Sequence, residues 1–286
     1  MVVELRALAN HHCVTGENPL WHAAEGCIYW EDIETGRLFR ANPETGEHTC
    51  FFQGDRVGGF TFQTDGSLLL FEVDRIARLA PSGERRVLRE GLDAGMSRFN
   101  DVIADPEGRV FAGTIGKDDQ QGGLFRIDLD GSFHVLWRGT GCANGMGFTP
   151  DGRGLYWTCS TTRRIYLADY DRATGALTSR RIFYAASPDE GIPDGLTVDA
   201  RGHVWSARWD GQAVYHLDSS ARVLDRVALP VAKVSSITFG GPGLDEAFVT
   251  TAGGTGGLEG GLEGTLFQLR GLGVRGQAEH HSKILL

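Results

Sequence analysis

Gly191-Ile-Pro-Asp-Gly-Leu-Thr-Val-Asp-Ala-Arg-Gly-His-Val-Trp205 carries an acidic residue, a short apolar run, a turn and a second apolar start. Asp194 stands eight residues before the turn glycine Gly202. The same interval separates Asn144 from Gly152 and Asn100 from Gly108. Three oxygen-bearing side chains thus enter three similar strands at one register. Counting outward, the turn glycines Gly26, Gly66, Gly108, Gly152 and Gly202 follow one another at steps of 40, 42, 44 and 50 residues. A sixth, looser unit runs through Ser235 to Val249. Six units in 286 residues average about 48 each, the length of a four-stranded propeller blade.

Each unit repeats one pattern. A strand descends to an Asp-Gly-like turn, and a second strand follows with an aromatic, as at Tyr29-Trp30, Phe111, Tyr156-Trp157, Trp205 and Phe248. A third strand alternates apolar and polar residues, as in Gly123–Asp128, Arg164–Asp169 and Ala213–Asp218, the pattern of a half-buried strand. The 41 glycines are about twice the usual share and fall mostly in turn contexts. The expected fold is all-β, a single six-bladed β-propeller over residues 1–286, its ring closed by N- and C-terminal strands. Residues 84–92 are the one stretch where a short helical turn competes. The Gly-rich segment 253–261 reads as a flexible loop before the last strand.

The net charge of −9 and the lack of a basic cluster argue against nucleic acid as a partner. Five scattered cysteines (Cys13, Cys27, Cys50, Cys142, Cys159) include no CxxC pair, which supports reduced thiols over a disulfide framework or a zinc knuckle. The N-terminus lacks the basic-then-apolar order of a secretion signal, and no apolar run is long enough to span a bilayer. A cytoplasmic protein with no membrane partner is the expectation.

Counting back eight from each turn glycine gives Gly58, Asn100, Asn144 and Asp194, and Glu17 lies nine before Gly26. A strand rises about 3.3 Å per residue, so these residues lie at the far end of each first strand. In a propeller the first strands line the central channel, so one end of it would be ringed by Glu17, Asn100, Asn144 and Asp194. Carboxylates and amide oxygens are hard donors suited to Ca²⁺, Mg²⁺ or Mn²⁺, with Zn²⁺ and Fe²⁺ also able to accept carboxylates. Arg98, two residues before Asn100, should project to the same side of its strand and could clamp a hydroxylated or anionic substrate. The plain alternative is that Asn144-Gly145 and Asp194-Gly195 are hairpin tips. A structural Ca²⁺ plugging the channel is the plain alternative for the whole set. The terminal pairs His11-His12 and His280-His281 have no metal-site spacing.

Gly16-Glu-Asn-Pro-Leu-Trp21, Arg98-Phe-Asn-Asp101, Phe111-Ala-Gly-Thr114, Ala143-Asn-Gly-Met-Gly147, Pro193–Asp199, Gly202-His-Val-Trp205, Phe239-Gly-Gly241 and Phe248–Ala252 occur in that order. In this the chain resembles the senescence marker protein/gluconolactonase/luciferin-regenerating family, which includes regucalcin. The resemblance implies a six-bladed propeller with one divalent metal in its channel. It implies Glu17, Asn144 and Asp194 as metal ligands, Arg98 and Asn100 as substrate contacts, and Asp194 as the catalytic proton donor and acceptor. An acidic substrate contact, expected in a lid between the third and fourth blades, has no match. That region reads Gly116-Lys-Asp-Asp-Gln-Gln-Gly-Gly123 and is short. At the start of the second blade, Gly58-Gly-Phe-Thr-Phe62 leaves that wall small and apolar. The expected activity is metal-dependent hydrolysis of sugar lactones. The rivals are organophosphate or phosphotriester hydrolysis on the same scaffold, and a non-enzymatic calcium-binding propeller.

Overall fold

The computed structural model describes residues 3–253 and 261–285. Most of the Gly-rich segment 253–261 lies outside the described residues. Among the described residues, 24 strands form six four-stranded antiparallel sheets, the arrangement of a six-bladed β-propeller. Strand β1 (Glu4–Asn10) precedes the first complete blade, which holds β2 (Gly16–His22), β3 (Cys27–Asp32), β4 (Arg37–Ala41) and β5 (His48–Gln53). Blade two is β6 (Phe60–Phe62), β7 (Leu68–Phe71), β8 (Arg75–Leu79) and β9 (Arg85–Glu90). Blade three is β10 (Met96–Ala104), β11 (Val110–Gly116), β12 (Gly123–Ile127) and β13 (Phe133–Arg138). Blade four is β14 (Ala143–Phe148), β15 (Gly154–Cys159), β16 (Arg164–Asp171) and β17 (Ala176–Ala185). Blade five is β18 (Ile192–Val198), β19 (Val204–Trp209), β20 (Ala213–Leu217) and β21 (Val223–Ala228). Blade six is β22 (Val234–Gly240), β23 (Glu246–Thr251) and β24 (Thr265–Arg270), with β1 hydrogen-bonded to β24 as its fourth strand.

Two compact units make up the chain. One, Met1–Gly54 with Tyr184–Glu279, contains blades one, five and six. In it Trp21 stacks on Phe248 with ring centres 5.6 Å apart, and Trp205 meets Phe239 edge to face at 5.6 Å. The other, Asp55–Phe183 with His280–Leu286, contains blades two, three and nearly all of four. There Phe71 meets Phe99 at 5.3 Å and Phe111 meets Phe148 at 5.8 Å. In both units aromatics that alternate along the strands fill the space between neighbouring blades. Each such buried ring is worth about 1.5–3 kcal/mol over its exposed state.

All five repeat-marking glycines take left-handed backbone angles, φ 62° to 95°, which tight strand turns favour and which a side chain resists. Residues 84–92 are no helix. They hold β9, which pairs only with β8. Its sequence Arg85-Arg86-Val87-Leu88-Arg89-Glu90 is rich in charged, partly exposed residues, as on an edge strand that meets water. The segment 116–123 also differs from expectation. It is the short link between β11 and β12 within blade three, tied at its base by the Gly116 N–H to the Gly141 carbonyl at 2.9 Å.

Candidate functional site

Asn144-Gly145 and Asp194-Gly195 are not hairpin tips. They lie inside β14 and β18, the innermost strands of their blades. What sets their register apart is a break in the strand ladder. Pairing shifts between Glu17 and Leu20, between Phe99 and Asp101, between Asn144 and Met146, and between Pro193 and Leu196. Each singled-out residue therefore sits at or in a β-bulge. Bulges re-aim side chains at the cost of a ladder bond and recur beside functional sites.

In the first unit Glu17 and Asp194 are both buried, 5% and 6% exposed. The Glu17 Oε2 atom accepts the Asn18 N–H at 2.9 Å, and Asn18 takes a left-handed φ of 49°. Directly opposite Glu17 in the β2–β3 ladder stands Glu31, also fully buried. Two buried carboxylates facing each other across a strand pair repel unless a positive charge or a shared proton lies nearby. Strand β22 adjoins the strands of both Glu17 and Asp194. The Ser235 hydroxyl donates to the Gly16 carbonyl at 2.5 Å. A Cβ on Gly195 would lie 2.1 Å from Ser236 Oγ and 2.7 Å from its Cα. Glycine after Asp194 is thus needed for β18 to press against β22.

The second unit brings Arg98, Asn100 and Asn144 into one network. Arg98 donates to Asn100 Oδ1 at 2.7 Å and to the Phe99 carbonyl at 2.8 Å, so the two side chains share a side as the spacing anticipated. The Asn100 amide donates to the Ala143 carbonyl at 3.0 Å and to Cys142 Sγ at 3.6 Å. The Asn144 amide reaches Ser160 Oγ at 3.2 Å and the same sulfur at 3.9 Å. These bonds hold each amide nitrogen and fix the opposite orientation for each amide oxygen. The Asn144 Oδ1 accepts the Gly145 N–H at 3.1 Å. Gly58 is the residue at the corresponding register of blade two. A Cβ there would lie 1.9 Å from the Phe99 carbonyl oxygen, so blade two meets β10 through bare backbone.

Sequence reasoning passed over Asn18, Glu31, Cys142 and Ser160. Asn18 and Glu31 stand beside other polar residues, Glu17 and Asp32, and so carried little signal of their own. Cys142 and Ser160 had none, because their part depends on the pairing of β14 with β15.

These features define an all-β propeller with polar, bulge-borne side chains on its innermost strands. The chain belongs to the SMP-30/gluconolactonase/LRE-like family, whose model matches residues 15–253. It is 47% identical over 245 residues to pentonolactonase XacC of Haloferax volcanii, covering 85% of this chain and 84% of that one. The structure of a luciferin-regenerating enzyme superposes with a TM-score of 0.89 at 26% identity, covering 99% of both chains. A calcium-binding protein, regucalcin, from Agrobacterium tumefaciens superposes with a TM-score of 0.88 at 25% identity, covering 96% of both.

Proposed function

We propose that this protein is a hydrolase that opens sugar lactones, with Glu17, Asn144 and Asp194 holding one divalent cation and Arg98 and Asn100 contacting the substrate. The observation that carries the activity is the 47% identity to a pentonolactonase over 85% of the chain. Five-carbon aldonolactones are accordingly the first substrates to try. Two buried carboxylates and an oriented amide oxygen would make a hard oxygen donor set, of the kind that suits Ca²⁺, Mg²⁺ or Mn²⁺ and admits Zn²⁺ or Fe²⁺. Burial of Glu17 opposite Glu31 fits a site built for a cation.

When bound, such a cation supplies Lewis-acid polarisation of the lactone carbonyl. The chain's own part is to orient and to move a proton. Arg98, held by Asn100 Oδ1 and the Phe99 carbonyl, directs its remaining N–H groups at the oxygens of the sugar ring. Asp194 accepts a proton from the attacking water and returns it to the ring oxygen as the acyl C–O bond breaks. The product is a hydroxy acid, and water is the only co-reactant.

The test is hydrolysis of pentono- and hexonolactones by metal-stripped protein, re-supplied in turn with Ca²⁺, Mg²⁺, Mn²⁺, Zn²⁺ and Fe²⁺ and corrected for spontaneous opening. Turnover restored by a metal is expected. Stoichiometric metal binding with no turnover on any lactone would overturn the reading.

A further inference from the structure

We propose that Asp199, His203 and His216 form a second metal site, one that takes a zinc-like transition-metal ion. It is separate from the proposed lactone site and does not depend on that reading. Asp199 directly follows β18, His203 directly precedes β19, and His216 lies on β20 opposite Trp205. The donor atoms converge. His203 Nδ1 and His216 Nε2 are 2.9 Å apart, and Asp199 Oδ2 is 4.0 and 3.8 Å from them. A triangle with these sides has its circumcentre about 2.1 Å from every corner, the length of a zinc–nitrogen or zinc–oxygen bond.

The surroundings fit ligation. Asp199 is fully buried. Its Oδ1 accepts the N–H groups of Arg201 at 2.8 Å and His203 at 3.0 Å. Its Oδ2 accepts, among the described residues, the Trp205 indole N–H at 3.1 Å. That indole bond orients the carboxylate as outer partners of metal ligands do. Among the described residues, the ion-pair partners of Asp199 are the two imidazoles alone. The two rings face each other through one nitrogen apiece, and an ion held by both nitrogens would take the place of the hydrogen bond between them. The face of the His216 ring is locked by stacking on Trp205 with ring centres 4.0 Å apart.

Blade three shows what the position requires. There Asp105 follows β10 as Asp199 follows β18, and its Oδ1 accepts the N–H groups of Glu107 and Arg109 in the same way. Its Oδ2 is neutralised by Arg109 Nε at 2.6 Å. Blade five has no such fixed cation and offers two nitrogen donors in its place. Imidazole with carboxylate selects zinc-like ions, unlike the all-oxygen set of Glu17, Asn144 and Asp194. Water would complete the coordination. An ion bound here would tie the β18–β19 turn to β20.

The experiment uses the full chain, stripped by chelator, with and without Asp194→Asn to disable the other proposed site. Zn²⁺ is titrated by calorimetry, and Co²⁺ binding is read from its visible absorption. One Zn²⁺ bound per chain in Asp194→Asn is expected. Either His203→Gln or His216→Gln should weaken that binding at least about tenfold and remove the Co²⁺ bands. Folding of both variants is checked by near-ultraviolet circular dichroism and by unchanged lactone turnover in the Asp194 background. Should one variant fail to fold, the other decides. Zn²⁺ affinity and Co²⁺ spectra equal to the parent's in a folded histidine variant, or no Zn²⁺ bound by the folded Asp194→Asn protein, would overturn the proposal.

Discussion

Blades three and five are built to one plan and diverge at both ends of their first strand. At the bulge, β10 carries Asn100 with Arg98 bonded to it, while β18 carries Asp194. At the far turn, blade three neutralises Asp105 with Arg109, and blade five sets His203 and His216 beside Asp199. The aspartate-capped turn is built alike in both blades, so at that turn the difference lies in the side chains set beside the carboxylate. Arg109 is a permanent cation bonded also to the Tyr170 hydroxyl and the Ala173 carbonyl of blade four. It serves as a fixed structural link. On the proposals above, Asp194 and the two imidazoles hold ions, so blade three supplies fixed links where blade five supplies candidate metal ligands.

The strongest way to break that contrast is at the bulge of blade five. Asp194→Ala is expected to abolish metal binding at the lactone site and to lower turnover by at least about 10²–10⁴-fold, the usual worth of a positioned acid–base group. Steady-state kinetics with a metal titration reads both, and normal turnover would remove Asp194 from its role. Next is the fixed pair of blade three. Arg109→Met leaves the fully buried Asp105 without its cation and should cost about 3–5 kcal/mol, read as a lower urea midpoint. Adding Asp105→Asn should recover much of the loss. Smaller again is Arg98→Ala, which removes one charge-assisted contact of about 1.5–3 kcal/mol. It should lower kcat/KM by roughly ten- to a hundredfold while leaving metal affinity unchanged. A sharper test carries the arrangement of blade three into blade five. His203→Arg sets a permanent cation beside Asp199, so stability without metal should shift by less than about 1 kcal/mol. The Zn²⁺-dependent rise in Tm should vanish.

Much of the fold could be read in advance because turns and alternation are local. Gly26, Gly66, Gly108, Gly152 and Gly202 mark the turns by a backbone need that only neighbouring residues set. Residues 84–92 stay ambiguous in the sequence because an Arg-rich edge strand has a weak apolar period, and its identity comes from pairing with β8. The segment 116–123 reads as a lid between blades, whereas it joins β11 to β12, because length alone does not say which strands a loop joins. For the candidate site, register brought out Glu17, Asn100, Asn144 and Asp194. It could not reveal the bulges, since a bulge exists only relative to a partner strand. The histidines of blade five were overlooked for the same reason. His203 and His216 are thirteen residues apart, and only the antiparallel pairing of β19 with β20 brings their rings together.

By itself, the sequence determined the six-unit β repeat, the turn positions and the polar residues entering the first strands. Each of these follows from interactions within a few residues along the chain. Tertiary structure alone decided that Arg98, Asn100 and Asn144 share one hydrogen-bond network around Cys142. It decided that Glu17 faces Glu31 across a ladder. It also decided that Gly58 and Gly195 admit no side chain because another strand's atoms fill the space. Those relations depend on which strand lies beside which, and strand pairing joins residues that local spacing leaves unrelated.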